Sequence, residues 1–505
     1  MTENHAPVKL LLCDQAVDGR LTEWLASNLE GVNIQVIADL CGNPGQIGSA
    51  LDGSDTNRLV LALCSRDVSG SEVQTHARRA GVQPTGLQMV VVGSRENRPE
   101  PHENASSAGA SIAGAVARAR ATGDPRPENL KVKLSGFDQQ VSRRSLFTLP
   151  PVIYETVPTI DESRCVAPDG CDLCVRSCPH GALESKGGRI QLSSSQCRTC
   201  GVCVAVCPQR AVELPGSGAD EIEAHIQESL LHLPNGQASI LFHCDQQKNA
   251  ASGDWVSVSA PCMGIVSVPI ILEALAGGAK EVGLLGCGDY CQSEQSAGAQ
   301  SRVAFCNQVL TGSNGLGSHQ RVKMIDPDDL PAAAEKINQE SAPGGQSISG
   351  YGPRAASGAI LATVLNGQGP VTEHPASPLG IVEIDSTTCT ACEACAMACP
   401  TGALASSRSD DQISLTFDHS DCVACGRCVE VCPETETETI TLKKATDLGA
   451  LKAGRRTLIE SAETLCERCG KPVASRGMLD RIASILGSEF DVQNMERLCV
   501  QCRGI

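Results

Sequence analysis

Four runs of cysteines carry the chemistry that this chain can do. Cys389-x2-Cys392-x2-Cys395-x3-Cys399-Pro is followed by Cys422-x2-Cys425-x2-Cys428-x3-Cys432-Pro. An earlier run, Cys197-x2-Cys200-x2-Cys203-x3-Cys207-Pro, has the same form, and Cys165-x5-Cys171-x2-Cys174-x3-Cys178-Pro differs by three extra residues between its first two cysteines. Three thiolates on one tight loop can cover one face of an iron–sulfur cube, with the fourth supplied from outside the loop. Small residues at Ala391, Ala394, Ala424 and Gly426 would let backbone N–H groups approach the inorganic sulfurs and favour added negative charge. Proline after each last cysteine removes a donor and fixes the exit from the loop. Within the insert, Pro168 and Gly170 predict a turn that bulges outward. Zinc and free thiols are the other readings of these sixteen cysteines, and the regular spacing favours clusters.

The end of the chain has a different pattern. Cys466-x2-Cys469-Gly and Cys499-x2-Cys502 are two pairs separated by 29 residues. Four thiolates in paired knuckles suit a closed tetrahedral site, usually structural zinc; a rubredoxin-like iron site has the same ligands. A helix-like stretch, Met478 to Leu486, lies between the pairs and favours zinc.

Composition excludes several classes. The 28 cysteines sit in a 505-residue chain, too long to need a disulfide framework for want of a core. The start has no basic n-region, its apolar run Leu10-Leu11-Leu12 is short, and no apolar stretch is long enough to span a membrane. A reducing, cytoplasmic setting is expected. The net charge of −17 argues against nucleic acid, which needs a basic footprint. Aromatic content is 2%, so clusters that tie short loops together would replace part of an ordinary core.

These ligands need elements to hold them. The expected fold class is multi-domain, α/β plus α+β. Residues 1–125 read as a small α/β domain, with strand-like Val8 to Leu12, Val32 to Ile37, Arg58 to Leu63 and Leu87 to Val92 alternating with helical stretches, a pattern for a parallel sheet. A helix is predicted over Ala108 to Arg120, and a linker from Ala121 to Asn129. A first cysteine module covers 155–215. A second α/β domain covers 220–338, with helix candidates that include Ser301 to Leu310 and Pro331 to Ile337. A Gly/Ser/Pro-rich linker covers 339–379, a second cysteine module 380–442, and a four-cysteine, zinc-ribbon-like tail 460–505. The modules repeat: Cys178-Pro-His-Gly-Ala-Leu echoes Cys399-Pro-Thr-Gly-Ala-Leu.

Both cysteine modules resemble the bacterial dicluster ferredoxin family, in which the fourth cysteine of each run ligates the other cluster. The resemblance implies four 4Fe–4S clusters. Their ligand sets would be Cys165, Cys171, Cys174 and Cys207; Cys197, Cys200, Cys203 and Cys178; Cys389, Cys392, Cys395 and Cys432; and Cys422, Cys425, Cys428 and Cys399. The second module with its Cys-x2-Cys-Gly-Lys-Pro tail resembles polyferredoxins of bacterial formate dehydrogenases. Residues 236–340 carry Phe242-His-Cys244, Ala260-Pro-Cys262-Met-Gly and Val282-Gly-Leu-Leu-Gly-Cys287-Gly-Asp-Tyr-Cys291. They resemble the small iron–sulfur subunit of methyl-viologen-reducing hydrogenase, which implies a 2Fe–2S cluster with Cys244, Cys262, Cys287 and Cys291 as candidate ligands, although Gln247 replaces a further cysteine. Residues 8–120 resemble the N-terminal domain of the heterodisulfide reductase flavoprotein subunit, carried by Cys41-Gly-Asn-Pro-Gly-Gln and Arg58-Leu-Val-Leu-Ala-Leu-Cys64-Ser. Cys13 matches the first cysteine of that family's opening pair, Gln15 replaces the second, and a retained fold without its cluster is expected.

No G-x-G-x-x-G or G-x-x-x-x-G-K-[ST] loop is found, so no flavin or nicotinamide site and no catalytic residue is assigned. Gly109-Ala-Ser-Ile-Ala-Gly114 reads as ordinary helix, and Cys306 fits no site. The expected function is an electron-transfer subunit serving a formate dehydrogenase, a hydrogenase or a heterodisulfide-reductase-like complex. An iron–sulfur oxidoreductase with its own catalytic centre and a metal-stabilised assembly scaffold are the alternatives.

Overall fold

The structure is a computed structural model. It describes residues 7–52, 56, 58–64, 70–82, 85–93, 107–123, 130–134, 152–233, 238–244, 255–286, 296–312, 320–326, 358, 360–362, 369–409, 412–486 and 498–503. The helix expected over 331–337 and most of the expected linker lie outside these residues.

The N-terminal part alternates strands and helices: β1 (Val8–Cys13), α1 (Gly19–Asn28), β2 (Val32–Ile37), α2 (Gln46–Leu51), β3 (Leu59–Leu63), α3 (Gly70–Arg79), β4 (Leu87–Val91) and α4 (Ser107–Ala121). The strands form a parallel sheet in the order β2-β1-β3-β4. β1 and β3 are buried along their whole length, as continuous apolar strands covered on both faces should be. Asp18 starts α1 by accepting the Leu21 N–H at 2.8 Å, a normal N-cap.

The first cysteine-rich unit follows. β5 (Leu130–Leu134) pairs antiparallel with β6 (Val152–Thr156), a hairpin outside the sequence-based expectation. β7 (Thr159–Ile160), α5 (Leu173–Arg176), β8 (Leu183–Lys186), β9 (Arg189–Leu192), α6 (Val202–Val206) and β10 (Val212–Glu213) come next. β7 pairs with β10 and β8 with β9. α7 (Ala219–Leu231) then leads to a second parallel sheet, made by β11 (Ser239–Cys244), β12 (Trp255–Ala260), β13 (Glu281–Leu285) and β14 (Val322–Ile325), with α8 (Val268–Ala276) and α9 (Ser296–Gly312) between them. Its order is β12-β11-β13-β14.

The second cysteine-rich unit contains β15 (Thr372–Glu373), β16 (Gly380–Ile384), α10 (Ala394–Met397), β17 (Leu404–Arg408), β18 (Gln412–Phe417), α11 (Arg427–Glu430) and β19 (Ile440–Thr446). α12 (Leu448–Ala453), β20 (Arg456–Leu465), β21 (Pro472–Ser475), α13 (Arg476–Leu486) and α14 (Val500–Arg503) complete the described chain. β20 pairs with β18 and β21 with β20. The two-stranded hairpin of the first unit, β8-β9, thus becomes a four-stranded sheet, β17-β18-β20-β21, in the second. The segment bearing the tail cysteines is welded to the second unit by this sheet.

The chain's long-range packing centres on α4. This Ala- and Gly-rich helix has no polar stripe and is buried nearly all round, because it lies between the N-terminal sheet, β12 and α7. Arg118, 2% exposed, donates to the Gly216 carbonyl at 2.9 Å, the Ser259 carbonyl at 2.6 Å and Ser217 Oγ at 2.8 Å. It therefore ties the first cysteine-rich unit and the central sheet to the N-terminal part. Gly114 lets α7 approach: a Cβ there would lie 2.6 Å from the His225 carbonyl oxygen. Gly114→Ala should lower the midpoint of thermal unfolding, with an overpacking cost of about 1–3 kcal/mol. Gly48→Ala, in α2 with nothing within 4 Å of the added carbon, should leave the midpoint unchanged or slightly raised. Equal effects of the two in circular-dichroism melts would remove the close-packing role of Gly114.

Candidate metal centres

Three of the four cysteine runs open on a turn made by an aspartate side chain. Asp161 Oδ1 accepts the Ser163 N–H at 2.9 Å, Asp385 Oδ1 that of Thr387 at 2.8 Å and Asp418 Oδ1 that of Ser420 at 3.0 Å. The run then curls through left-handed residues. The residue before the second cysteine is Thr199 (φ 56°), Ala391 (φ 50°) or Ala424 (φ 51°), and the residue after it is Gly201 (φ 74°), Glu393 (φ 63°) or Gly426 (φ 82°). Left-handed backbone is strained for residues with a Cβ, and its regular recurrence here turns three sulfurs of each run to one side. A short helix, α5, α6, α10 or α11, then carries the third cysteine.

The run with the insert keeps half of this pattern. Cys165 N–H bonds to the Asp161 carbonyl at 3.0 Å, as Cys389 N–H does to Asp385. The insert forms the predicted turn, a 3-10 helix over Ala167–Asp169 closed by left-handed Gly170 (φ 92°). Asp172, after the second cysteine, has φ −136° where the other three runs are left-handed.

The fourth cysteine of each run lies with its partner run. Cys389, Cys392, Cys395 and Cys432 line one hollow, and Cys178 lines a second with Cys197, Cys200 and Cys203. Burial, and then the neighbouring Cys207, Cys171 and Cys165, push the Cys174 thiol up to about 12. Cys428 is likewise raised to about 12 by burial and then by Cys422, Cys425 and Cys399. Thiols packed together and away from water resist ionisation unless a cationic core compensates. Backbone N–H groups already point at the sulfurs: Ala182 at Cys178 (3.3 Å), Ala211 at Cys207 (3.2 Å), Thr199 at Cys197, Ala391 at Cys389 and Leu404 at Cys399 (each 3.4 Å). His180 lines the second hollow, and its Nε2 is buried without a hydrogen-bond partner among the described residues. Cube-bound sulfide would supply that missing acceptor. The sixteen cysteines fit 4Fe–4S clusters on these grounds.

The cysteine sets are laid end to end. Cys262, after β12, packs on Cys200 and Val202. Arg210 holds the first unit on α7 and α8 through Glu223 (2.7 Å) and Glu273 (3.2 Å). At the other end, Cys425 of the second unit is close enough to Cys171 to bear on its ionisation. Arg176 bonds to the Cys425 carbonyl and lies 3.7 Å from Glu430, and a Cβ on Gly170 would touch Arg427 at 3.2 Å. Beyond the second unit, α13 rests on the Cys389 loop. Ser475 Oγ donates to the Thr390 carbonyl, and Arg481 pairs with Glu434 at 2.9 Å.

Among the described residues, two groups draw their sulfurs far closer together than these sets do. Cys466, Cys469, Cys499 and Cys502 all lie within 4.8 Å of one another, as do Cys13, Cys41 and Cys64. In the tail, the knuckle closes by Gly470 N–H on the Cys466 carbonyl and Cys466 N–H on the Lys471 carbonyl, both at 2.8 Å. Backbone N–H groups of Cys499, Arg468 and Cys469 hold the Cys466 thiol down to about 6, which favours a thiolate ligand. The sequence-based expectation passed over the N-terminal trio as a site, although Cys13 and Cys64 stand at the carboxyl ends of adjacent parallel strands. In the central domain Cys244 and Cys262 are buried, Cys287 and Cys291 lie outside the described residues, and Cys306 is buried in α9.

Comparison with known families agrees with this geometry. The 4Fe-4S dicluster domain matches residues 157–208 and again 381–447. The delta subunit of methyl-viologen-reducing hydrogenase matches residues 245–342. No curated protein matches the chain. No helix among the described residues is long and apolar enough to cross a membrane. The delta-subunit match suggests association with a redox enzyme complex. The mixed α/β architecture, two 4Fe-4S dicluster domains and a domain similar to the hydrogenase delta subunit together fit a polyferredoxin fused to a hydrogenase-subunit-like domain.

Proposed function

We propose that the chain is an electron-transfer subunit that relays electrons through four 4Fe–4S clusters to or from a larger cytoplasmic oxidoreductase of the formate dehydrogenase, hydrogenase or heterodisulfide-reductase-like kind. The observation that carries this reading is the end-to-end arrangement of the cysteine sets, with Cys262 against Cys200 and Cys171 near Cys425. Bound clusters would supply one-electron chemistry, and catalysis would belong to the partner. The chain's own residues hold and tune. Cys165, Cys171, Cys174 and Cys207; Cys197, Cys200, Cys203 and Cys178; Cys389, Cys392, Cys395 and Cys432; and Cys422, Cys425, Cys428 and Cys399 are the ligands. The backbone N–H groups on Cys178, Cys207 and Cys399 favour the more negative, reduced state. Cys466, Cys469, Cys499 and Cys502 hold a structural zinc in a zinc-ribbon-like tail that braces the Cys389 loop through α13. Cys244 and Cys262, with Cys287 and Cys291, are the candidate ligands of an additional 2Fe–2S cluster.

Anaerobically purified, fully reconstituted chain should hold about sixteen irons and as many sulfides. About two more irons would add the central 2Fe–2S cluster, and a total well below sixteen would sink the four-cluster reading. Cys165→Ala should remove about one to four irons and change one spectral component only, whereas an unchanged count would exclude Cys165 as a ligand. His180→Ala should lower the potential of one cluster by about 30–60 mV in an EPR-monitored titration, a three- to tenfold change for one electron. No shift would mean that Nε2 donates nothing to a cluster. Cys466→Ser/Cys469→Ser should remove about one zinc and no iron; a loss of iron instead would identify a rubredoxin-like tail.

A further inference from the structure

We propose that Cys13, Cys41 and Cys64 form a mononuclear three-thiolate site for a zinc-class divalent cation at the carboxyl edge of the N-terminal sheet. Cys13 ends β1, Cys64 directly follows β3, and Cys41 lies in the turn after β2. With strand order β2-β1-β3, those three carboxyl ends are neighbours, and this edge is where open parallel sheets bind their ligands. The Cys41 and Cys64 sulfurs are 3.2 Å apart, and those of Cys13 and Cys64 3.9 Å.

These spacings discriminate between two kinds of occupant. A tetrahedral ion with metal–sulfur bonds of about 2.3 Å sets its sulfurs about 3.8 Å apart. A cube stands between its ligands and spreads them wider, as the sixteen ferredoxin cysteines of this same chain are spread. The N-terminal trio shares its close spacing with the tail quartet and not with the cluster sets. The count agrees, because the trio offers three thiolates where a cube takes four. The residues therefore do not fit the cluster that the resemblance implies.

The surroundings are built around the trio. Asp39 holds a left-handed φ of 49° and accepts the Gly42 N–H at 3.2 Å, which pins the turn presenting Cys41. Cys64 N–H points at Cys41 Sγ at 3.3 Å, and Cys13 is fully buried. Asp14 Oδ1 lies 3.9 Å from Cys13 Sγ and accepts the Asp39 N–H at 2.9 Å. Asp14 stands outside the group of mutually close ligand atoms, so a water oxygen would complete a three-sulfur, one-oxygen set, in contrast to the closed four-sulfur tail.

The test is a metal count on the full chain with its iron and sulfide loaded. Zinc should fall from about two to about one per chain in Cys13→Ser/Cys41→Ser/Cys64→Ser, with iron and sulfide unchanged. A fall in iron would identify a cluster, and no change in any metal would leave the trio as thiols or a Cys41–Cys64 disulfide; either overturns the proposal. Because the triple variant also alters a buried position, a second measurement leaves the trio intact. In Cys466→Ser/Cys469→Ser chain, zinc-edge X-ray absorption should read three sulfurs and one oxygen or nitrogen. Four sulfurs, or absence of zinc, would overturn the assignment. Neither measurement depends on electron transfer, and the iron count tests the four-cluster reading separately.

Discussion

Sulfur held away from water is the constraint on which the rest of the molecule depends. Thiols crowded into a dry pocket stay protonated, and the sets here are crowded: burial and neighbouring cysteines push Cys174, Cys395, Cys422 and Cys428 all up to about 12. Turning such a set into ligands requires a cation to be present as the chain folds, so metal binding and folding are one equilibrium. The apolar cores beside the cysteines are correspondingly slight. In the first unit one consists of Cys174, Leu183, Cys203 and Val212, with cysteines as half of its buried members. The two parallel sheets, by contrast, carry extensive aliphatic cores of their own. The chain combines domains that an aliphatic core can hold with domains that need their metal, which explains how a sequence with 2% aromatic residues folds at this length.

Sites that exchange electrons must be kept at fixed separations, and a few arginines of the protein's own do much of that work. Arg118 reaches two carbonyls and a hydroxyl from two segments, and Arg210 bridges a cysteine loop to two helices. Arg176 crosses from the first cysteine-rich unit to the second. Arginine suits these joints because its planar fork satisfies several acceptors at once and stays charged when partly buried. Gly114 has the complementary role. Its missing side chain lets α4 and α7 meet at backbone distance, and that contact fixes the first cysteine-rich unit relative to both sheets.

Much of this was legible in the sequence wherever the signal was local. The cysteine spacing, the parallel-sheet strands, α4 and the outward turn of the insert all depend on residues within about a dozen positions of each other. The parts that were not legible depend on distant partners. Cys13 and Cys64 are 51 positions apart, and only the strand order makes them neighbours. No strand is expected from the sequence over 456–465, and β20 forms there because β18 offers it an edge. Left-handed φ at Thr199 or Glu393 could not be read from residue type, because neither favours it; the loop's need to turn three sulfurs one way overrides the local preference. Glu393 is also held by Arg408, which in turn reaches Glu463 at 2.7 Å on β20, so even this local strain is secured by a distant strand.

The departure at Cys165-x5-Cys171 gains a physical meaning from its location. Of the four runs, only this one faces the other cysteine-rich unit with an altered loop. The turn over Ala167–Asp169 ends at Gly170, whose missing side chain leaves room for Arg427. Asp172, freed from the left-handed conformation of its counterparts, pairs with Arg176 at 2.8 Å, and Arg176 reaches the Cys425 carbonyl. A regular loop would put a left-handed residue where Asp172 now aims that arginine across the junction. The insert thus exchanges one copy of the repeated cysteine loop for a contact surface, while Cys165 keeps the entry turn shared with Cys389. The three extra residues that interrupt the regular spacing in the sequence form, in three dimensions, the joint between two sets of cysteines.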